Sequence, residues 1–221
     1  MRKTIVRLDL KGLQKRFKAL DAITASKMKG RTVYLDKSGN YLGQVGTSYT
    51  MKFLDEPYQF SQVVCTADED AGSYFSELST SDQKDIISNR LPAGANVEIE
   101  VTTKPGEIMG WRWNTILNGY RAFCYDPNHI SFNNFKNFES NMAHEHYHYN
   151  NGHDDDQPAY EIQAILAQIN HSSYNETTNA HKLNTAEYLF KQWKELKIHN
   201  EPGYTMADAY RICKYTGTPS Y

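Results

Sequence analysis

Hydrophobic and polar positions along the chain follow two periods, an alternating one in the first half and a helical one in the second. The alternation predicts strands over residues 31–36 and 40–45, and the intervening Lys37-Ser38-Gly39 has the composition of a hairpin turn. Further segments predict three strands and a helix: the strands over residues 48–54, 60–66 and 96–103, and the helix over residues 73–90. The first half is therefore expected to be rich in β-structure.

A helical period of three to four residues marks both ends of the chain. Near the start, hydrophobic residues at this spacing alternate with basic ones and predict an amphipathic helix with a solvated basic face: Leu10, Leu13, Phe17 and Leu20. After a break at Pro105-Gly106, four helices are predicted, over residues 136–150, 158–171, 180–197 and 204–215. The segment Ile130-Ser131-Phe132 is expected to form a strand just before the first of these four.

Together these elements predict an α+β fold. We expect one domain over residues 1–221, in which residues 1–104 form the N-terminal helix and a mixed β-sheet. Residues 105–221 are expected to form a mainly helical, catalytic part. A chain of 221 residues is long enough to bury a sizeable core, and 39% hydrophobic with 23% charged residues indicates a folded, globular protein.

Charge and composition exclude several classes of protein. A net charge of -2 argues against a general nucleic-acid binder, which would carry a large basic excess. No run of eighteen apolar residues predicts a membrane span, and the N-terminus lacks the apolar core of a signal peptide. We therefore expect a protein that is cytoplasmic or exported by a non-classical route. Three distant cysteines, Cys65, Cys124 and Cys213, form neither a disulfide framework nor a metal-binding CxxC pair.

The most informative motif is His144-Glu145-His146-Tyr147-His148, which has the HExxH pattern. His144 and His148 are four residues apart, so on a helix both side chains project from one face and can hold one zinc ion. Glu145 lies next to the first ligand, where it can accept the proton of a metal-activated water and later deliver it to the leaving amine. The preceding residues contain no Pro or Gly, so a helix is permitted throughout.

A third protein ligand is needed, and two carboxylates compete for that place. Glu161 lies near the start of a predicted helix, after an acidic turn and Pro158. Asp154 follows His148 by six residues, a spacing that fits the aspartate variant of the metzincin pattern if Asn151 forms the required left-handed turn. We favour Glu161 and keep Asp154 as the alternative.

Residues 122–170 resemble the zincin-type metallopeptidase domains of bacterial effectors and polymorphic toxins and of related phage proteins. Those domains run from a strand through an HExxH helix and a short acidic loop to a helix in which Ala closely follows Glu. The corresponding segments here are residues 130–132, 144–148, 154–156 and 161–164. The resemblance covers about fifty residues, less than a quarter of the chain.

The resemblance implies gluzincin-like ligation of Zn²⁺ by His144, His148 and Glu161, with Glu145 as general base. It also implies a protein or peptide substrate and a cognate inhibitor or immunity protein as a partner. One departure is His146 and Tyr147, which replace the small or apolar residues usual at these positions. The His146 side chain is expected to point away from the metal.

The leading hypothesis is therefore a zinc-dependent metallopeptidase. The alternative is a non-catalytic or virion-associated binding module in which zinc is structural or lost. A third hypothesis is hydrolysis of a non-peptide amide, such as a cell-wall crosslink, because HExxH specifies the nucleophile and not the substrate. Tyr174 and Tyr188 follow the motif, but among sixteen tyrosines the sequence does not identify an oxyanion donor.

Overall fold

The computed structural model describes residues 32–45, 49–66, 71–102, 104–114, 119–151, 157–196 and 205–217. Over these residues the protein has a mixed α+β fold with two three-stranded sheets, six α-helices and a helical C-terminal half, which confirms the predicted class. The predicted amphipathic helix around Leu10 to Leu20 lies outside the described residues, as does Asp154.

The first sheet contains the predicted hairpin. Strand β1 (Thr32–Asp36) pairs antiparallel with β2 (Tyr41–Val45) and parallel with β3 (Thr50–Leu54). The turn places Gly39 at a φ of 80°, a left-handed conformation that glycine adopts without steric cost. The Asp36 carboxylate accepts hydrogen bonds from the backbone N–H groups of Ser38 and Asn40, at 2.9 and 2.8 Å, and closes the turn.

The strand predicted over residues 60–66 is wrong, because this segment forms helix α1 (Gln59–Thr66). Phe60, Val63 and Val64 follow the helical spacing and pack against the first sheet beside Tyr34. The Phe60 ring lies directly over Gly43, whose missing side chain leaves room for it. This short run, which contains β-branched residues, is helical because that geometry packs its three apolar side chains together against the first sheet.

The second sheet has the order β4–β6–β5, with β4 (Glu98–Val101) parallel and β5 (Met109–Asn114) antiparallel to the central β6 (Gly119–Tyr125). Between the two sheets along the chain lies α2 (Thr80–Ser88), which is preceded by a 3-10 turn, Phe75–Glu77. The helix predicted over residues 73–90 is therefore confirmed only in its second half.

The helical half contains α3 (Phe135–Asn151), α4 (Pro158–Asn170), α5 (Asn179–Leu196) and α6 (Met206–Ile212), which confirms the four helices predicted there. A further 3-10 turn, Tyr174–Glu176, lies between α4 and α5.

The strand predicted over residues 130–132 is wrong, because Ile130–Asn133 forms a 3-10 turn. The His129 ring caps this turn by accepting a hydrogen bond from the Ser131 N–H, and Phe132 stacks on Phe75 with ring centroids 4.6 Å apart. Capping and burial of Phe132 thus replace strand pairing.

Two large clusters of buried side chains stabilise these layers. The first joins both sheets, α2 and the sheet-facing side of α3, with Leu35, Phe53 and Phe123 fully or almost fully buried. The second lies within α4, α5 and α6 and includes Ile165 and Leu189. Helix α3 thus lies between the sheets and the other helices, with one side on each. No helix of the described residues is long and apolar enough to cross a lipid bilayer.

Candidate metal centre

Helix α3 presents two imidazoles from one face. Asn134 precedes the helix and its side-chain oxygen accepts hydrogen bonds from the backbone N–H groups of Lys136 and Asn137, both at 3.0 Å, so the helix has a polar N-cap. Four turns of uninterrupted helix then place His144 and His148 one above the other. Their Nε2 atoms are 3.1 Å apart, so both rings direct the same nitrogen towards one point.

Helix α4 brings a carboxylate to the same point. Pro158 occupies the first turn of this helix, where its missing N–H is not needed, and Glu161 follows with only 5% of its surface exposed. The two oxygens of Glu161 divide between the imidazoles: Oε2 lies 3.4 Å from His144 Nε2 and Oε1 lies 3.4 Å from His148 Nε2. This is the single group of three or more potential metal ligands among the described residues.

The electrostatics of the cluster favour an ionised carboxylate. Burial raises the pKa of Glu161, but the hydrogen bond from His144, the charges of His144 and His148 and the hydrogen bond from Tyr188 together hold that pKa below its ordinary value. The Glu161 carboxylate is thus kept in its charged form by the imidazoles and by Tyr188, despite its burial.

The separations within the cluster fit a metal ion. Ligand atoms bound to zinc at about 2.0–2.1 Å in a tetrahedral arrangement lie about 3.3–3.4 Å from one another. The two Nε2 atoms, 3.1 Å apart, are close to this separation, and each lies 3.4 Å from a different oxygen of Glu161. One potential ligand atom from each of the three residues lies within 4.8 Å of the other two. Two imidazoles and one carboxylate are also a donor set that zinc accepts, with a fourth position left for water or substrate.

Glu145 lies next to the cluster on the sheet-facing side of α3. Its side chain is buried, with 6% of the residue exposed, and its charge is close enough to the Tyr188 hydroxyl to raise the pKa of that group. Residues adjacent in a helix project about 100° apart, so Glu145 points beside His144 and not along the same line.

Two aromatic side chains of the second sheet hold this part of α3. The Trp111 indole N–H donates to the carbonyl oxygen of Glu145 at 2.8 Å, and the Tyr120 hydroxyl donates to the carbonyl oxygen of His148 at 3.0 Å. The second sheet therefore fixes the axial position and the rotation of α3 at Glu145 and His148. Sequence inspection missed both residues, because nothing in the local pattern around them signals a contact thirty residues away.

The structure also separates the two tyrosines considered from the sequence. Tyr188 on α5 donates a hydrogen bond from its hydroxyl to Glu161 Oε2 at 2.9 Å. Tyr174 is fully buried in the second core cluster, and its hydroxyl donates to the carbonyl oxygen of Cys213. Of the two, only Tyr188 contacts the cluster.

Two other residues considered from the sequence, His146 and Asn151, also lie on α3. The His146 ring points away from the cluster, as expected, and its Nε2 lies 2.7 Å from the carbonyl oxygen of Arg90. Asn151 is the last residue of α3, and the non-glycine residues with positive φ in the described ranges do not include it. Asp154 itself lies outside the described residues.

Comparison with known proteins gives one finding. Residues 124–220, slightly less than half of the chain, match the model of a family described as metallopeptidase toxin 2. The matched segment includes all of α3, α4, α5 and α6 and hence every residue of the cluster. No curated protein and no solved structure gives a significant match.

The class that this similarity supports is a toxin metallopeptidase, a hydrolase that depends on a metal ion and acts on protein. The cluster of His144, His148 and Glu161 lies within the matched segment and could bind that ion.

Proposed function

We propose that this protein is a zinc-dependent peptidase in which His144, His148 and Glu161 hold the metal and Glu145 is the general base. The observation that supports this most directly is the convergence of two imidazole Nε2 atoms, 3.1 Å apart, with a carboxylate whose two oxygens each lie 3.4 Å from one of them. The similarity to metallopeptidase toxins over the same helices supports it independently.

Each residue has a separate task in this mechanism. His144, His148 and Glu161 would hold zinc, which would supply a Lewis acid that polarises a peptide carbonyl and lowers the pKa of water to about 7, so that a hydroxide nucleophile is accessible at neutral pH. The Glu145 carboxylate accepts the proton of that water as the new carbon–oxygen bond forms. It then donates the same proton to the departing amine nitrogen as the carbon–nitrogen bond breaks, so the carboxylate is regenerated and no further co-reactant is needed.

Burial of Glu145 suits this role. A carboxylate with 6% exposure is shielded from bulk water and stays beside the reacting atoms through both proton transfers. The bond from Trp111 to the Glu145 carbonyl oxygen keeps the backbone of this residue in place. The toxin similarity supports a cellular protein as the substrate, and we expect a cognate inhibitor or immunity protein in the producing cell.

The test combines metal content with two variants. The purified protein should contain about one zinc per chain by elemental analysis. Glu161→Ala should lose zinc, whereas Asp154→Ala should keep it and lose only about 0.3–1 kcal/mol of helix-terminus stabilisation. The opposite pattern would show that Asp154, and not Glu161, is the third ligand.

Glu145→Gln should keep zinc and fold but lose about 10²–10⁴-fold in turnover of a fluorescently labelled, denatured protein substrate, because an amide cannot accept the proton. Glu139→Gln is the matched control, since it removes a carboxylate from the same helix at a position where Glu139 pairs with Lys136. Unchanged turnover in Glu145→Gln would exclude this residue from the mechanism. A zinc-containing wild type with no hydrolytic activity would favour a non-catalytic binding module instead.

A further inference from the structure

Helix α5 contributes a side chain to the metal centre that belongs to neither the HExxH helix nor the Glu161 helix. The Tyr188 hydroxyl donates to Glu161 Oε2, the same oxygen that lies 3.4 Å from His144 Nε2. The other oxygen, Oε1, lies 3.4 Å from His148 Nε2. Three contacts therefore define the plane of this carboxylate, and the one made by Tyr188 is the only one of them that does not come from a residue of the ligand set.

The Tyr188 hydroxyl has a second hydrogen-bond partner, which lies on the same helix. Gln192, one helical turn further along α5, makes a side-chain hydrogen bond to it and is buried, with 6% exposure. The adjacent Leu189 and Trp193 are buried in the second core cluster and fix the rotation of α5. Although 39% of the Tyr188 surface is exposed, the hydrogen bonds with Glu161 and Gln192 hold its hydroxyl in one position.

A hydrogen bond from a hydroxyl group to a ligating carboxylate has a known consequence at metal sites. A ligating carboxylate that is free to rotate must be ordered when the metal binds, and an outer hydrogen bond removes that cost in advance. Such partners typically change metal affinity by about 10–100-fold. The Tyr188 hydroxyl satisfies the geometric condition for this role, because it contacts one carboxylate oxygen while each oxygen still lies 3.4 Å from an imidazole Nε2.

We propose that Tyr188, supported by Gln192, is a positioning residue that orients the Glu161 carboxylate for metal binding. The proposal rests on the proposed ligand set, and it adds a role for α5 that the ligand set does not require. It differs from a role in stabilising the oxyanion on the substrate, because a positioning residue acts on the metal affinity of the protein in the absence of any substrate.

The experiment measures zinc affinity without substrate. Wild type, Tyr188→Phe and Tyr174→Phe are stripped of metal and titrated with zinc in competition with a chromogenic chelator. Tyr188→Phe should bind zinc about 10–100-fold more weakly and release it faster to excess chelator. Tyr174→Phe is the matched control, since it removes a buried hydroxyl from the same helical half without touching the cluster, and its zinc affinity should equal that of wild type.

Gln192→Leu provides a second variant that leaves the Tyr188 ring in place. It should weaken zinc binding in the same direction but by a smaller factor, and circular dichroism of all variants checks that each is folded. At saturating zinc, Tyr188→Phe should lose less than tenfold in kcat on the labelled protein substrate. Cobalt substitution adds a spectroscopic readout, because a reoriented carboxylate alters the visible absorption bands of Co²⁺ in Tyr188→Phe and not in Tyr174→Phe.

Two results would overturn the proposal. One is a zinc affinity of Tyr188→Phe within twofold of wild type. The other is an unchanged affinity with a loss in kcat beyond a hundredfold, which would make Tyr188 a residue that acts on the substrate. Failure of the proposed function is distinguishable, since a wild type that binds zinc but hydrolyses nothing leaves the affinity comparison intact. A wild type that binds no zinc would refute both.

Discussion

A buried polar network beside the candidate metal centre leads to a quantitative prediction about the stability of the protein in acid. His181, in the first turn of α5, is 5% exposed, and its Nε2 lies 3.1 Å from Ser140 Oγ and 3.2 Å from Gln168 Nε2. The Gln168 amide also donates to Asn141 Oδ1. This network therefore joins α3, α4 and α5, the three helices that supply the cluster and Tyr188.

The charge of a protonated His181 is disfavoured in this position. Burial, followed by the positive charges of His129 and Lys182, lowers the pKa of His181 from 6.5 to about 4. The Gln168 N–H that points at Nε2 adds to the effect, because a second N–H on the imidazole would face a donor. In the unfolded chain the ring is hydrated and takes up a proton at its ordinary pKa.

The sign and size of the pH effect follow from these two values. Between pH 6.5 and about 4 the unfolded state binds a proton that the folded state does not, so the free energy of unfolding falls as the pH is lowered. The contribution of neutral His181 is fully present above pH 6.5 and is lost by about pH 4. A shift of this size corresponds to about 3 kcal/mol at 1.36 kcal/mol per pKa unit.

The assay compares wild type with His181→Gln, in which an amide keeps a hydrogen-bonding side chain but does not titrate. Urea unfolding is followed by tryptophan fluorescence from pH 7.5 to 4, with chelator present so that metal release does not contribute. The variant should start less stable at pH 7.5, and its loss of stability down to pH 4 should be smaller than that of wild type by about 3 kcal/mol. Parallel curves for the two proteins would refute the reasoning.

Two further predictions concern how the layers pack. Trp111→Phe removes the indole N–H that donates to the Glu145 carbonyl oxygen. This variant should lower the free energy of unfolding by about 1–3 kcal/mol and reduce turnover. A variant with the activity and stability of wild type would show that this hydrogen bond has no role. Gly43→Ala places a Cβ 2.1 Å from the Phe60 ring, so urea unfolding should show a loss of about 1–3 kcal/mol from displacement of α1. A neutral result would mean that α1 does not pack on this strand.

The sequence predicts the relative position of the two histidines, because that position depends on one helix alone. A spacing of four residues places His144 and His148 on one face whatever surrounds them, provided that the segment is helical. Glu161 was one of two candidates, because the path of the chain between α3 and α4 decides which carboxylate converges and local spacing does not. Tyr188 was indistinguishable from the other tyrosines, since its role depends on how α5 packs against α4.

The two wrong strand predictions have the same cause, because contacts with residues distant in sequence decide the structure of those segments. Segments 60–66 and 130–132 are short and apolar, and for such lengths the hydrophobic pattern does not separate strand from helix. Their structure is decided by distant partners, Gly43 beneath Phe60 in the first case and Phe75 beside Phe132 in the second. The long helices of the second half were predictable because thirteen to eighteen residues give the helical period enough repeats.

The contacts around α3 connect the segment that matches the metallopeptidase toxin family with residues that precede this segment. Every residue of the cluster lies within the segment that matches metallopeptidase toxins, residues 124–220, whereas Trp111 and Tyr120 precede it. Their bonds end on the carbonyl oxygens of Glu145 and His148, the proposed base and a proposed ligand. The same face of α3 also contributes Phe138 and Met142 to the core shared with both sheets. The second sheet therefore contacts the helix that carries the candidate metal centre directly, and the alignment of α3 depends on side chains that precede the matched segment.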